Sequence, residues 1–260
     1  MNRENQSKAD VQAQFGKNAA NYVTSTIHAH GQDLEKLKAI IDWTGEENVL
    51  DIATGGGHVA NALAPLVKKV TAVDLTTEIL AVSRMFIEKN GHRNVEFMEA
   101  DAEQLSFKNE SFDIAVCRIA AHHFSNVGAF IHETYRVLKR NGTFILIDNT
   151  APESERMDHF YNKIEKRRDY SHQRAWKKSE WLQLIEEQGF DLEELYRFPK
   201  QFQFEKWCKT MDLPDKEKHA LSKEMLKAPM DIRQKFRITE EKGAVSSFQA
   251  EASLIKALKG

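Results

Sequence analysis

The chain has 260 residues, 41% of them apolar and 29% charged, with a formal net charge of −2. That length suits one large α/β domain, or a core with a small cap, and the composition excludes a disordered or low-complexity chain. The near-neutral balance favours neither a nucleic-acid nor a membrane-surface partner, and no apolar run nears the roughly 20 residues that span a bilayer.

The first residues, Met1 to Gln14, are polar and lack the apolar core of a signal peptide. Leu34, Leu37, Ile40 and Ile41 then form a helical stripe that Gly45 stops. Val49 to Ile52 reads as a first strand, followed by a glycine-rich turn and a short helix ended near Pro65. Val70 to Val73 is a second strand. Thr77 is placed to cap a helix to Asn90, with Ile79, Val82, Phe86 and Ile87 inward and Gly91 just past its end. Val95 to Met98 and Phe112 to Cys117 are strands three and four. The only other cysteine is Cys208, so a disulfide framework is not expected and a cytoplasmic setting is. Val127, Phe130, Ile131, Thr134 and Leu138 share a helix face that stops at Gly142, and Thr143 to Ile147 is strand five.

Beyond Asp148 the pattern changes. Residues 153–170 are charged and helical, and Ser179 is placed to cap a helix burying Trp181, Leu182 and Ile185. Phe190 to Phe198 reads as a strand, and Phe248, Ala250, Ala252 and Leu254 alternate as a half-buried antiparallel strand does. Between them, at about 200–245, lies a charged helical insertion with Pro214 and Pro229. Strands alternating with helices predict a doubly wound α/β fold, mostly parallel, that binds ligands beyond the carboxyl ends of its strands.

The run from Val49 to Ala60, VLDIATGGGHVA, ends a strand on an acid and turns through glycines into a helix. Glycine lets a backbone approach a ligand without a Cβ, and the helix start offers unpaired N–H groups. Asp74 ends the second strand, nineteen residues after Gly55, where an acid can accept from a ribose diol. Asp101 and Ala102 end the third strand, where they can meet an adenine edge. Three strand ends thus converge on an adenosine-sized ligand. Two cofactors compete for it. Gly55, Gly57 and Ala60 match the dinucleotide pattern G-x-G-x-x-[GA], which suits NAD and an oxidoreductase. Asp51 argues against that reading. A carboxylate four residues before Gly55 is a poor neighbour for a pyrophosphate and a good one for the ammonium of S-adenosylmethionine (SAM).

In combination, Asp51–Gly57 (DIATGGG), Val73–Leu75 (VDL), Glu99–Ala102 (EADA), Phe112–Ala115 (FDIA) and Arg136–Gly142 (RVLKRNG) resemble the class I SAM-dependent methyltransferases. The resemblance spans about residues 15–150 and is nearest the branch that includes the ubiquinone and menaquinone biosynthesis methyltransferases. Ala53 stands where many relatives carry glycine. The resemblance implies a Rossmann-like sheet of seven strands with the last antiparallel, and an early segment that closes over the cofactor. It divides the chain into a helical lid at 1–32, a SAM-binding core at 33–150, and a C-terminal part at 151–260 carrying the helical cap. Phe15 to Tyr22 matches the family's opening F-x-x-x-A-x-x-Y, so Tyr22 is either a lid residue or a packing residue.

The expected cofactor-binding roles are Asp51, Gly55 and Gly57 at the methionine end, Ala53 in the same turn, Asp74 at the ribose, and Leu75, Asp101 and Ala102 at the adenine. Arg118 lies under the cofactor or forms a structural ion pair. His122 and His123 follow strand four, and His123 is the candidate base, the other reading being a packing hydrogen bond. His28 and His30 lack acids or cysteines around them, so no metal site is expected. Arg167, Arg168, Asp169, Ser171, His172 and Arg174 form either an anion-binding cluster or a solvated helix face. Trp207, Met211, Met225 and Met230 line an acceptor pocket or fill a core. The expected partner is a small molecule, with a phenolic or quinone-like ring as its class, and the expected state is a monomer or homodimer. A SAM-binding module without catalysis is a further alternative.

Overall fold

The computed structural model describes residues 6–14, 16 and 31–260. Among them, eight strands form one sheet: β1 Asn48–Ile52, β2 Lys69–Asp74, β3 Val95–Glu99, β4 Phe112–Arg118, β5 Leu138–Thr150, β6 Phe190–Gln203, β7 Thr239–Glu241 and β8 Ala244–Lys259. Their order is β3-β2-β1-β4-β5-β8-β6, with the three-residue β7 paired to β8 beyond the seven-strand path. The pairs among β1 to β5 are parallel, and β8 runs antiparallel to both β5 and β6. Residues 6–14 are helical. The helices that follow are α1 Gln32–Ala39, α2 His58–Leu63, α3 Thr77–Lys89, α4 Val127–Val137, α5 Glu155–Arg168, α6 Lys178–Glu187, α7 Phe204–Lys209, α8 Asp215–Leu226 and α9 Met230–Lys235.

The parallel strands read as unbroken apolar runs because both of their faces are covered. Val49, Val70, Ala72, Val116 and Ile145 pack on α1, α2 and α3 through Leu37, Val59, Leu63 and Ile87. The alternate residues Leu50, Ile52, Ala115, Cys117, Phe144 and Leu146 pack on α4 and α6 through Phe130, Ile131, Trp181 and Ile185. A third cluster gathers α5, α7, α8 and α9 around Phe248 and Val245 at the start of β8. Trp207 and Met225 belong to that core, whereas Met230 is 65% exposed.

Several local expectations give way to tertiary contacts. Leu138 fits the α4 face by periodicity, yet the helix stops at Val137 and Leu138 opens β5, paired with Phe112. An apolar residue satisfies either pattern, and the strand pairing decides. Helix α1 ends at Ala39, short of Ile40, Ile41 and Gly45, where the Trp43 indole N–H donates to the Lys38 carbonyl and satisfies one of the last-turn oxygens. Lys177 rather than Ser179 precedes α6, and its N–H is taken by Glu180. Strand β8 is buried on both faces between Ala252 and Ile255, because β6 flanks it and makes it an interior strand.

Phe144 carries the α4 face. It is fully buried, with its ring centroid 5.9 Å from Phe130 and 5.4 Å from Phe190. Phe144→Ala should cost about 3–5 kcal/mol, seen as a lower urea midpoint at unchanged slope.

Candidate active site

Asp51 is the next-to-last residue of β1, with 1% of its surface exposed. Its Oδ2 accepts from the Thr54 hydroxyl at 2.6 Å and from the Ala60 N–H at 3.1 Å, tying the strand to the turn and to α2. Burial pushes the Asp51 carboxyl up to about 7, although these two hydrogen bonds and the Arg118 charge favour ionisation. The turn itself needs left-handed backbone, with Ala53 and Gly55 both at φ +54 and Gly57 at φ +78. A Cβ on Gly55 would meet nothing within 4 Å, so this residue leaves open space above the turn. Gly57 serves another purpose. A Cβ there would sit 2.9 Å from both Ile87 Cδ1 and Ser83 Cβ, so Gly57 lets α3 approach and is not among the residues lining the cleft.

Asp74 ends β2. Its Oδ2 accepts from Gly55 N–H and its Oδ1 from Thr76 N–H, both at 3.0 Å. Burial raises it to about 6 against those bonds. Thr76 rather than Thr77 precedes α3, because Asp74 fixes its N–H, and its buried hydroxyl makes no cap hydrogen bond. Asp101 follows β3, with its Oδ1 accepting from Glu103 N–H and its Oδ2 2.7 Å from Lys8 Nζ. Lys8 also reaches Glu103 at 2.8 Å, and Gln12 donates to the Leu75 carbonyl, so the helical residues 6–14 lie across this end.

Asp51, Ala53, Gly55, Asp74, Leu75, Asp101, Ala102, Arg118 and His123 therefore border one cleft of about 1040 Å³, solvent space included. That volume is ample for a nucleoside-sized ligand. Arg118 is also ion-paired, its Nε 2.7 Å from Asp33 Oδ2 with both side chains 5% exposed. Tyr22, Phe15, His28 and His30 lie outside the described residues. Thr54, His58, Glu103 and Ile119 line the cleft without having been singled out from the sequence. Ile119 takes φ +55, a costly conformation for a β-branched residue, held by its N–H on the Ile147 carbonyl at 2.7 Å.

The two histidines after β4 diverge. His122 is bound by Asp148 twice, through its N–H to Oδ2 at 2.8 Å and through Nδ1 to Oδ1 at 2.6 Å. Burial opposes its charge, but Asp148 outweighs burial and raises its pKa. His123 lines the cleft, and burial together with the His122 charge lowers its pKa to about 4. The basic run downstream also separates. Arg167 pairs with Glu224, Arg168 with Glu165, and Arg174 with Asp158 and Glu180, while Asp169, Ser171 and His172 turn inward.

A family model described as a methyltransferase domain matches residues 50–146. The chain is 36% identical over 247 residues to the uncharacterised methyltransferase YcgJ of Bacillus subtilis (strain 168), covering 94% of this chain and 97% of that protein. The chain belongs to the class I SAM-dependent methyltransferases. The crystal structure of a proposed methyltransferase from Bacillus halodurans C-125 matches with a TM-score of 0.87 at 55% identity, covering 88% of this chain and 99% of that chain. A demethylmenaquinone methyltransferase of Chlorobaculum tepidum is 30% identical over 128 residues, about half of each chain (49% and 51%). SAM is thus the cofactor of this methyltransferase, which sets aside the nicotinamide-dependent and non-catalytic readings. No described helix is long and apolar enough to cross a membrane.

Gly57→Ala would place a methyl group against α3 in a left-handed conformation. The expected loss is about 2–3 kcal/mol of unfolding free energy, from overpacking plus the αL cost, measured by chemical denaturation. An unchanged midpoint would mean that α3 yields freely.

Proposed function

We propose that this methyltransferase modifies a small-molecule acceptor, with the cofactor lying across the ends of β1, β2, β3 and β4. The observation that carries this reading is the convergence of Asp51, Asp74 and Asp101, from three successive parallel strands, on one cleft. The residues fit the cofactor. Asp51 suits the ammonium of its methionine part, and the space above Gly55 admits the chain that bears it. Asp74, oriented by two backbone N–H groups, keeps lone pairs for a ribose diol. Leu75 packs on the adenine, with Asp101 and Ala102 at its edge, while Ala53 and Arg118 complete the methionine side. Gly57 acts through packing. Residues 6–14 serve as part of a lid, and α7 to α9 as a cap on the acceptor side.

The cofactor supplies an activated methyl group; the protein aligns the acceptor and excludes water. His123 is the proposed proton acceptor. Ile119, Ala120 and Phe124 beside it form an apolar wall suited to a ring. A phenolic or quinol-like acceptor is favoured by that wall and by the half-chain likeness to a demethylmenaquinone methyltransferase. Transfer of labelled methyl from SAM to a panel of phenols, quinols, amines and carboxylic acids tests it. Label entering only carboxylic acids would reject the ring-hydroxyl class.

Asp74→Ala should weaken SAM binding in calorimetry by at least ~1.5 kcal/mol, more than tenfold; equal affinity would remove Asp74 from the site. The affinity should also depend on pH. With its carboxyl at about 7, free Asp51 is largely protonated in mild acid, and an approaching ammonium favours the ionised form. Affinity should therefore rise more than about tenfold from about pH 5.5 to 7, below the ~7.7–8.0 range where an α-amino group loses its own proton. On the free protein the sign is opposite. A carboxyl raised on folding contributes stability at low pH that is lost as pH rises through about 7, so the thermal shift caused by SAM grows across the same window. Asp74, at about 6, adds to the same trend. Asp51→Asn should remove the part of the slope above about pH 6. A flat wild-type profile would separate Asp51 from the ammonium.

A further inference from the structure

Asp169 directly follows α5 with 1% of its surface exposed, and its Oδ2 has no hydrogen-bond donor. Its other oxygen, Oδ1, accepts from the Ser171 N–H at 2.9 Å and from the Ser171 hydroxyl at 2.6 Å. Burial would raise this carboxyl, but it lies below the ordinary range; with His123 neutral, the Arg168 charge and the two Ser171 bonds are what favour its ionised form. It is therefore a carboxylate and only accepts. Ser171 has one hydroxyl proton, and that proton is committed to Asp169. Toward His123 Nδ1, 3.2 Å away, the Ser171 oxygen offers only a lone pair. The ring consequently carries its proton on Nδ1 and its lone pair on Nε2. Nε2 lies 3.9 Å from the donorless Asp169 Oδ2. Two electron-rich atoms thus lie near one another in a buried setting, and a proton reaching Nε2 from the cleft turns their repulsion into attraction.

Resting on the reading of His123 as the proton acceptor, we propose that Asp169 and Ser171 are positioning residues that fix His123 as the Nδ1–H tautomer and receive its imidazolium, so that the methyl acceptor is a molecule surrendering a proton from oxygen or nitrogen. The acceptor's O–H or N–H bond breaks, its electron pair stays on the heteroatom, and the proton bonds to the Nε2 lone pair. A heteroatom forming a new bond to carbon becomes strongly acidic, so a weak base suffices. The surroundings keep this base unprotonated at rest. The His122 ring lies 4.2 Å away, its charged form favoured by Asp148, and the His172 ring lies 6.4 Å away with its Nε2 on Asn162. Arg168 is engaged by Glu165, and Lys166 donates to the Tyr170 and His172 carbonyls. The cluster therefore keeps a neutral His123 across neutral pH.

Long-range proton–nitrogen spectra of the full chain labelled with ¹⁵N-histidine, near neutral pH, test this directly, with His123→Gln to assign the signal. Wild type should show His123 protonated on Nδ1. Ser171→Ala should let the Nε2–H form, attracted by Asp169 Oδ2, compete with the Nδ1–H form, and Asp169→Asn should also abolish the pure Nδ1–H form. Nε2–H in wild type, or Nδ1–H persisting in both variants, overturns the proposal. In the protein loaded with S-adenosylhomocysteine, phenol and benzylamine should shift the Nε2 resonance and anisole should not. No shift from either donor, or an equal shift from anisole, overturns the acceptor class. Calorimetry with S-adenosylhomocysteine is read separately: absent binding in wild type rejects the cofactor site, whereas binding kept in Ser171→Ala with a changed tautomer supports the positioning role alone.

Discussion

The carboxyl end of β1 delivers Asp51 into a buried turn, and one oxygen of that side chain holds strand, turn and helix together through Thr54 and Ala60. The cost of this arrangement is a carboxyl group driven up to about 7 by burial. Protein interiors tolerate such a group when a cation arrives or when its proton stays on. Asp74 repeats the device at the next strand, where backbone N–H groups from Gly55 and Thr76 orient both of its oxygens. The same amide of Gly55 thus belongs to the β1 turn and to the β2 acid. The parallel register of β1 with β2 makes that sharing possible, pairing Asp51 with Ala72 and Ile52 with Val73.

Beyond β5 the sheet changes direction and the chain builds a second core. Phe204, Trp207, Leu221, Met225 and Phe236 are buried together against the start of β8. Charged residues dominate this part of the sequence, but they are largely absorbed by one another. Arg167 bridges α5 to α8 through Glu224 and Glu217, and Arg174 ties the loop after α5 to Asp158 and Glu180. Exposed pairs of this kind contribute little each. They flank the segment between α5 and α6, from which Asp169 and Ser171 approach His123.

The order of strands and helices was legible in the chain because each parallel strand is an apolar run bounded by turn residues, and the three strand-end acids stand in register with that pattern. Membership of the family rests on the same residues. Less legible were features set by distance in sequence. Gly57 belongs to the glycine run, but its conflict with a Cβ comes from Ser83 and Ile87, more than twenty residues away. Leu138 obeys helical spacing and is nevertheless claimed by Phe112. Lys8 lies in a polar segment without periodicity, and only the fold brings it to Asp101 and Glu103. The arginines of the 167–174 run and its inward-facing Asp169, Ser171 and His172 share one charged stretch of sequence. Nothing in that stretch tells which side chains the cap core will turn inward.

His122 and His123 show how far neighbours in sequence can differ. Both are buried, and burial works against charge on each. Asp148 contacts the ring and the backbone of His122 at short range, which is enough to outweigh burial. His123 has Asp169 near it too, but with Oδ2 3.9 Å from Nε2 and the other oxygen spent on Ser171. A second charge 4.2 Å from the His122 ring would then repel the first. Charge is accordingly favoured on the member that Asp148 grips and disfavoured on the ring that borders the cleft. The grip of Asp148 on His122 is therefore part of what disfavours charge on His123, which suits the base role proposed for it.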